Sequence, residues 1–256
     1  MLPTYLNYRM TGNLVDSAAN MIGHIPFDSK KREWQQKNSL GRCVYDIPAE
    51  KLCTLKKSGE IIGYISDDFS SVTGIPVGLP LIATGSDKGC ETLGLSVVTE
   101  DKAAISFGPP ATIQLATKKY FEPQAFVPAY PAVPNDLYNP EIQIYRGFWL
   151  LSWFVKEFGA EERAKAKELG CTPEHILDEC LDRIPVGSDG LLVQPYWTPG
   201  IKHPNSLGAV LGFSDFHTHY HLYKAIVEGL NLELYHSLNK MERRSGMKIK
   251  EIYIGG

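Results

Sequence analysis

Asp87 is the residue best placed to do chemistry. It stands where the apolar run Leu79-Pro80-Leu81-Ile82-Ala83-Thr84 gives way, through Gly85-Ser86, to a segment with apolar or small residues at Cys90, Leu93, Gly94 and Val97. That spacing predicts a strand, a turn and then a helix over Lys88 to Val98. A carboxylate at such a junction sits at the positive end of the helix. Strand-to-helix junctions of open α/β sheets are also where ligands gather. In phosphoryl transfer to a hydroxyl, a carboxylate beside the acceptor orients it and takes its proton. The plainer use of Asp87 is to cap the helix beside Ser86, itself a good N-cap residue. Spacing leaves both uses open.

The remaining candidates are weaker. Gly108 follows Phe107 in a turn between two strand-like runs, Ala103–Phe107 and Thr112–Leu115, and small residues there let backbone N–H groups approach a phosphate. Pro109 and Pro110 each remove one such donor, which favours an ordinary turn. Gly255-Gly256 ends the alternating run Lys248–Ile254. A Gly pair opening a helix brings backbone close to a nucleotide phosphate, but no helix follows here and a turn is the simpler reading. His217, His219 and His221 alternate at the start of a helix. Residues two apart on a helix face different ways, so packed or surface histidines account for them better than a metal site does. Arg146-Gly147-Phe148-Trp149 and Trp153 have the aromatic faces to stack on a base or a sugar, although an aromatic helix start is more often core. No phosphate-binding loop of the G-x-x-x-x-G-K type and no G-x-G-x-x-G is present.

These residues need a frame. Gly74, Pro76, Gly78 and Pro80 cluster as breakers and mark a loop and a domain boundary, giving residues 1–78 and 79–256 as two parts. Before the boundary, Phe27-Asp28-Ser29 reads as a turn entering a short charged helix over Lys30–Trp34, and Ile61–Ile65 as a strand weakened by Gly63. After it, residues 121–145 are rich in Pro, Tyr and Asn and read as a long loop, while Phe148–Phe158 is an apolar, aromatic helix. Thr172-Pro173-Glu174 is a helix start, with N-cap, Pro at the first position and an acid in the first turn. The run Gly190–Pro195 is a strand entering a loop. Leu222, Ile226, Leu230, Leu234 and Leu238 recur every fourth residue in a long helix that Lys240, Arg243 and Arg244 suit at its negative end and Gly246 caps. Strand, helix and hairpin in this order give an α/β architecture.

The 256 residues carry 43% hydrophobic and 21% charged side chains, ordinary for a soluble globular chain with a substantial core. A net charge of −3 excludes a nucleic-acid binder held by a basic face. Cys43, Cys53, Cys90, Cys171 and Cys180 form no C-x-x-C pair and are odd in number, so reduced thiols in a cytoplasmic protein are expected. Met1-Leu2-Pro3-Thr4 opens no signal sequence, and no apolar run is long enough for a membrane span.

Taken in order, several stretches resemble the FGGY carbohydrate kinases. Gly78-Leu79-Pro80 through Thr84-Gly85-Ser86-Asp87 is similar to the segment leading into that family's catalytic Asp. Ala104–Gly108 with Thr112-Ile113 is similar to its S-x-G-T-S-G hairpin. Leu192–Pro195 with Asn205–Gly212 resembles its L-x-P-Y…R-G-A-x-x-G stretch, and His221–Gly229 its H-L-x-R-A-x-x-E-G helix. Ile252–Gly256 resembles the strand opening its G-G-G-A nucleotide loop, and Tyr5–Gly12 with Phe27–Trp34 resembles the end of its first domain.

The resemblance implies an actin-like ATPase (ribonuclease H-like) α/β fold. It makes residues 1–78 the remainder of an N-terminal sugar-binding domain and 79–256 an incomplete C-terminal nucleotide-binding domain. It implies ATP and Mg2+ as cofactors and a sugar or polyol as substrate, with no nucleic acid, no membrane and no metal-ligating side-chain set. A second copy of the chain, or an N-terminal portion with the family's D-x-G-T phosphate hairpin, is the implied partner. Asp87 would be the general base, and Gly108, Gly147, Ser152, Gly255 and Gly256 would lie at the nucleotide. Two departures stand out. Pro109-Pro110 replace Thr and Ser in the hairpin, and Lys88 follows the Asp where Gln or Asn is usual. Lys88 would pair with Asp87 or reach a phosphate. The alternative implied by the departures is an inactive kinase remnant, or one half of a two-chain enzyme.

Overall fold

A computed structural model describes residues 1–23, 26–200 and 204–256. The chain opens with α1 (Leu2–Thr11), β1 (Val15–Ser17), the short strands β2 (Phe27–Asp28) and β3 (Glu33–Trp34), α2 (Leu40–Val44), β4 (Thr54–Lys56), β5 (Ile61–Tyr64), α3 (Asp67–Thr73), β6 (Pro80–Ile82) and α4 (Asp87–Gly94). It continues with β7 (Lys102–Phe107), β8 (Ala111–Leu115), β9 (Tyr130–Pro131), β10 (Tyr138–Asn139), β11 (Glu141–Ile144), α5 (Trp149–Phe158), α6 (Ala160–Leu169) and α7 (Pro173–Leu181). Strands β12 (Leu192–Gln194) and β13 (Ala209–Leu211), the long helix α8 (His219–Ser245) and β14 (Glu251–Gly255) complete it. The largest sheet has the order β11-β8-β7-β14.

The residues fall into two compact units: 1–104 with 114–141 and 247–253, and 105–113 with 142–246 and 254–256. Among its described residues the first unit holds two apolar clusters. Ala18, Met21, Phe27 and Cys53 pack with Trp34 and Leu55. Val97, Ala104, Ala116, Ala132 and Leu137 pack with Leu95 and Tyr253. Beside the first cluster lies the buried carboxylate of Asp16, which accepts from the Thr4 hydroxyl at 2.6 Å, the Ser17 N–H at 2.7 Å and the Asn20 amide at 3.2 Å. Three donors satisfy a charge that burial alone would not allow. Its negative charge, after burial itself, helps push the Cys53 thiol up to about 11. Asp16→Ala strands these donors, and we expect it to cost roughly 2–3 kcal/mol, measured as a lower urea midpoint.

The second unit is helical around α8. All five residues of the fourfold repeat are buried, from Ile226 and Leu230 at 0% exposed to Leu222 at 9%. Phe154 of α5 lies with its ring 5.3 Å from Tyr223, whose hydroxyl donates to Asp178 of α7 at 2.9 Å. Gly246 closes α8 in the left-handed conformation. Thr172 caps α7 by accepting from the His175 N–H, as the sequence reading required.

Two local readings are corrected. Residues 30–34 are not helical: β2 and β3 form a small antiparallel pair, Phe27 against Trp34. Asp28 spends its side chain on the N–H groups of Lys30 and Lys31 in a turn, and Arg32 takes a φ of 61°, which no helix accepts. Residues 121–145 are not all loop, since β9, β10 and β11 lie within them. Strands of two residues carry no periodicity to read.

Candidate active site

The turn that delivers Asp87 is built as its sequence demands. Ser86, buried, caps α4 by accepting the Gly89 N–H at 3.1 Å, so Asp87 is the first helical residue and not the cap. Asp87 is exposed, and its Oδ1 accepts the N–H of Lys88 at 2.8 Å. The preceding strand β6 is short and antiparallel to β5, so the junction is not the carboxyl end of a parallel strand. Gly85 allows the turn its closeness: a Cβ there would lie 2.6 Å from a Val133 methyl. The ammonium of Lys88 lies 2.7 Å from Glu91 Oε2, one turn along the helix.

A carboxyl that sequence reading passed over faces the same helix. Glu141, partly buried at the start of β11, accepts the Gln114 amide N–H at 2.9 Å. Gln114 Oε1 in turn meets the Thr92 hydroxyl of α4. Burial pushes Glu141 up to about 7; Lys88 and the Gln114 bond oppose the shift, while Asp87 and Glu91 add to it. A raised carboxyl holds in the folded chain a proton that the unfolded chain gives up near its ordinary value. The stability it contributes is complete in acid and is lost as pH rises through about 7. We therefore expect the urea midpoint to fall between mildly acidic and mildly alkaline pH, and to fall less in Glu141→Gln. Glu141 was hidden in the sequence because its neighbours come from helix and strand segments far along the chain. Only an isolated Glu after Pro140 marked it.

The five other candidate positions belong to the second unit. Gly108 lies in the turn between β7 and β8, and its carbonyl accepts the Phe148 N–H at 3.3 Å. The Pro109 carbonyl accepts the Trp149 N–H at 3.4 Å. The start of α5 thus spends two of its free N–H groups on this turn. Gly147 is buried directly behind it: a Cβ would lie 2.1 Å from the Ala111 nitrogen. Gly256, at φ 141°, runs against Phe107, with a Cβ position 3.0 Å from the Phe107 nitrogen. Gly108, Gly147 and Gly256 therefore converge on one turn, with Gly255 ending β14 beside Gly256. Ser152 is exposed on α5.

The aromatic and histidine candidates have local partners. Arg146 covers the Trp149 ring at 4.3 Å, and Trp153 lies 5.2 Å from Trp197. His219 bonds Glu162 at 3.0 Å, while His221 closes the capping box of α8 with Thr218 and lies 3.3 Å from Asp189. Among the described residues no three His, Cys, Asp or Glu side chains group as metal ligands. No helix among them is long and apolar enough to cross a membrane.

Residues 1–94 match the model of the N-terminal domain of the FGGY family of carbohydrate kinases. The chain is 27% identical over 253 residues to the uncharacterized sugar kinase YgcE of Escherichia coli, covering 98% of this chain and 51% of that protein. It is 25% identical over 263 residues to the xylulose kinase of Lactococcus lactis, covering 100% and 50%. Among solved structures, the xylulose kinase of Rhodospirillum rubrum aligns with a TM-score of 0.80 at 22% identity, over 94% of this chain and 47% of that one. The fold is thus that of the actin-like α/β kinases, and the chain spans about half the length of the curated relatives it matches. Residues 1–94 thus resemble the N-terminal domain of that family, and the chain along its length is similar to about half of each of these sugar kinases.

Proposed function

We propose that the protein carrying this chain phosphorylates a sugar or polyol hydroxyl with Mg-ATP, and that Asp87 is the general base. The observation that carries the reading is an exposed carboxylate held at the first residue of α4, in a chain whose whole length is similar to about half of each sugar kinase it matches. An anion there is favoured by the helix end. The Lys88 N–H holds one carboxylate oxygen and leaves the other free to accept the acceptor hydroxyl's proton.

In this reading residues 1–78 belong to the sugar-binding domain and 79–256 to the nucleotide-binding domain. Gly108, Gly147, Gly255 and Gly256, with Ser152, would hold the nucleotide. Three of these glycines converge on one turn, where the absence of side chains would let a phosphate come close to backbone. The nucleotide supplies the phosphoryl group, and magnesium is carried largely by its phosphates. The five free cysteines suit a reducing, cytoplasmic setting.

One observation favours a second reading, an inactive remnant or one half of a two-chain enzyme. The Gly108–Pro110 turn has lost two donors to proline and engages two more N–H groups at its own carbonyls. The test is ATP consumption with a panel of pentoses, hexoses, ketoses and polyols. Sugar-dependent turnover supports the kinase. A folded chain that consumes no ATP with any sugar, alone or joined to the remaining half found in its relatives, supports the remnant.

A further inference from the structure

The Asp87 turn has a support that the kinase reading does not use. Thr92 and Gln114 are 2% and 3% exposed. The Thr92 hydroxyl lies 2.8 Å from the Lys88 carbonyl and also meets Gln114 Oε1, while the Gln114 amide donates to Glu141 at 2.9 Å. A chain of polar contacts therefore leads from Glu141, through Gln114 of β8 and Thr92, to the backbone of the residue that follows Asp87, with the single Thr92 hydroxyl proton shared between Gln114 Oε1 and the Lys88 carbonyl. Buried relays of this kind hold their members in one arrangement because each member is costly to leave unpaired.

We propose that Glu141 is a positioning residue for Asp87, fixing the first turn of α4 through Gln114 and Thr92 and setting the charge balance around Lys88.

The charged groups facing Glu141 are Lys88, Asp87 and Glu91, all on α4. Three carboxyls thus lie near one ammonium, which is 2.7 Å from Glu91 Oε2. If all three ionise, the group carries two negative charges in excess. With Glu141 protonated it carries one, which lowers the repulsion among the carboxyls of this group. Burial pushes Glu141 up to about 7, so the balance of this group changes around neutrality.

As a statement about the reaction this rests on the kinase reading, but its physical content can be tested separately. Carbon-13 NMR of the Asp87 side chain, assigned with Asp87→Asn, is followed from pH 4 to 9 in the wild-type chain and in Glu141→Gln. The wild type is expected to show its main titration and a second, smaller inflection near pH 7 that Glu141→Gln removes. Gln at 141 still accepts the Gln114 N–H, so the relay survives without the charge. In the active kinase, Glu141→Ala is expected to lower kcat about tenfold with little change in the sugar KM. Glu141→Gln restores most of that turnover and flattens the pH profile around 7. A single Asp87 inflection in both proteins, with unchanged pH–rate profiles, overturns the proposal and leaves the kinase standing. A Glu141-dependent inflection in a protein that turns over no sugar supports the coupling and removes the kinase reading.

Discussion

Asp87→Asn is expected to lower kcat for sugar phosphorylation by roughly 10²–10⁴-fold, the range for loss of a general base. The substitution is close to isosteric. Asn Oδ1 can still accept the Lys88 N–H that Asp87 holds at 2.8 Å, and the side chain is exposed. The cap of α4 belongs to Ser86 and is untouched. Thermal stability should therefore stay near wild type, and the sugar KM should change far less than kcat, because the lost interaction matters most in the transition state. Steady-state kinetics with a circular dichroism melt decide the matter. An Asn variant of near wild-type turnover would mean that the proton leaves the sugar by another route.

The second large effect is expected at Gly147. An added Cβ would lie 2.1 Å from the Ala111 nitrogen and 2.4 Å from its Cβ. Both are backbone or near-backbone atoms of β8, which cannot rotate away. Gly147→Ala must then push α5 off the Gly108–Pro110 turn and break the Phe148 and Trp149 hydrogen bonds to it. Overpacking of this kind costs roughly 3 kcal/mol, and the same shift should weaken binding of an ATP analogue. Gly94→Ala is the control, since nothing lies within 4 Å of its Cβ position. Its midpoint should hold. Calorimetry of the melt and titration with a non-hydrolysable ATP analogue separate the two consequences. Unchanged nucleotide affinity in a destabilised Gly147→Ala would reduce Gly147 to a packing residue.

Much of the frame was legible because the signals were local. The fourfold leucine spacing of α8, the Thr-Pro-Glu start of α7 and the Ser86 cap of α4 each depend on residues within a few positions. The β2–β3 pair was missed because Asp28 is equally suited to a helix cap and to the turn it makes. Gly147 was readable as a small residue before an aromatic helix, but the nearness of Ala111 was not, since 36 residues separate them in number and only the folded sheet brings them together. Glu141 illustrates the same limit in electrostatics. Its partner Gln114 is 27 residues away, and its perturbation comes mainly from burial, which no spacing records. Chemistry that depends on one residue type at a turn can be read early. Chemistry that depends on what surrounds a residue waits for the packing.

The place of β14 in the largest sheet bears on how the chain acquires its structure. Among the described residues its one neighbour in that sheet is β7, and Lys102 meets the Tyr253 hydroxyl across 151 residues of sequence. Helices such as α8 are stabilised by near neighbours and can form quickly, whereas closing so long a loop must precede any reward from the β7–β14 ladder. During synthesis β7 leaves the ribosome long before β14 exists, with one edge of backbone donors and acceptors unmatched. Completion of the sheet therefore waits until β14 has been made, and chaperone dependence and losses during expression should concentrate in that interval.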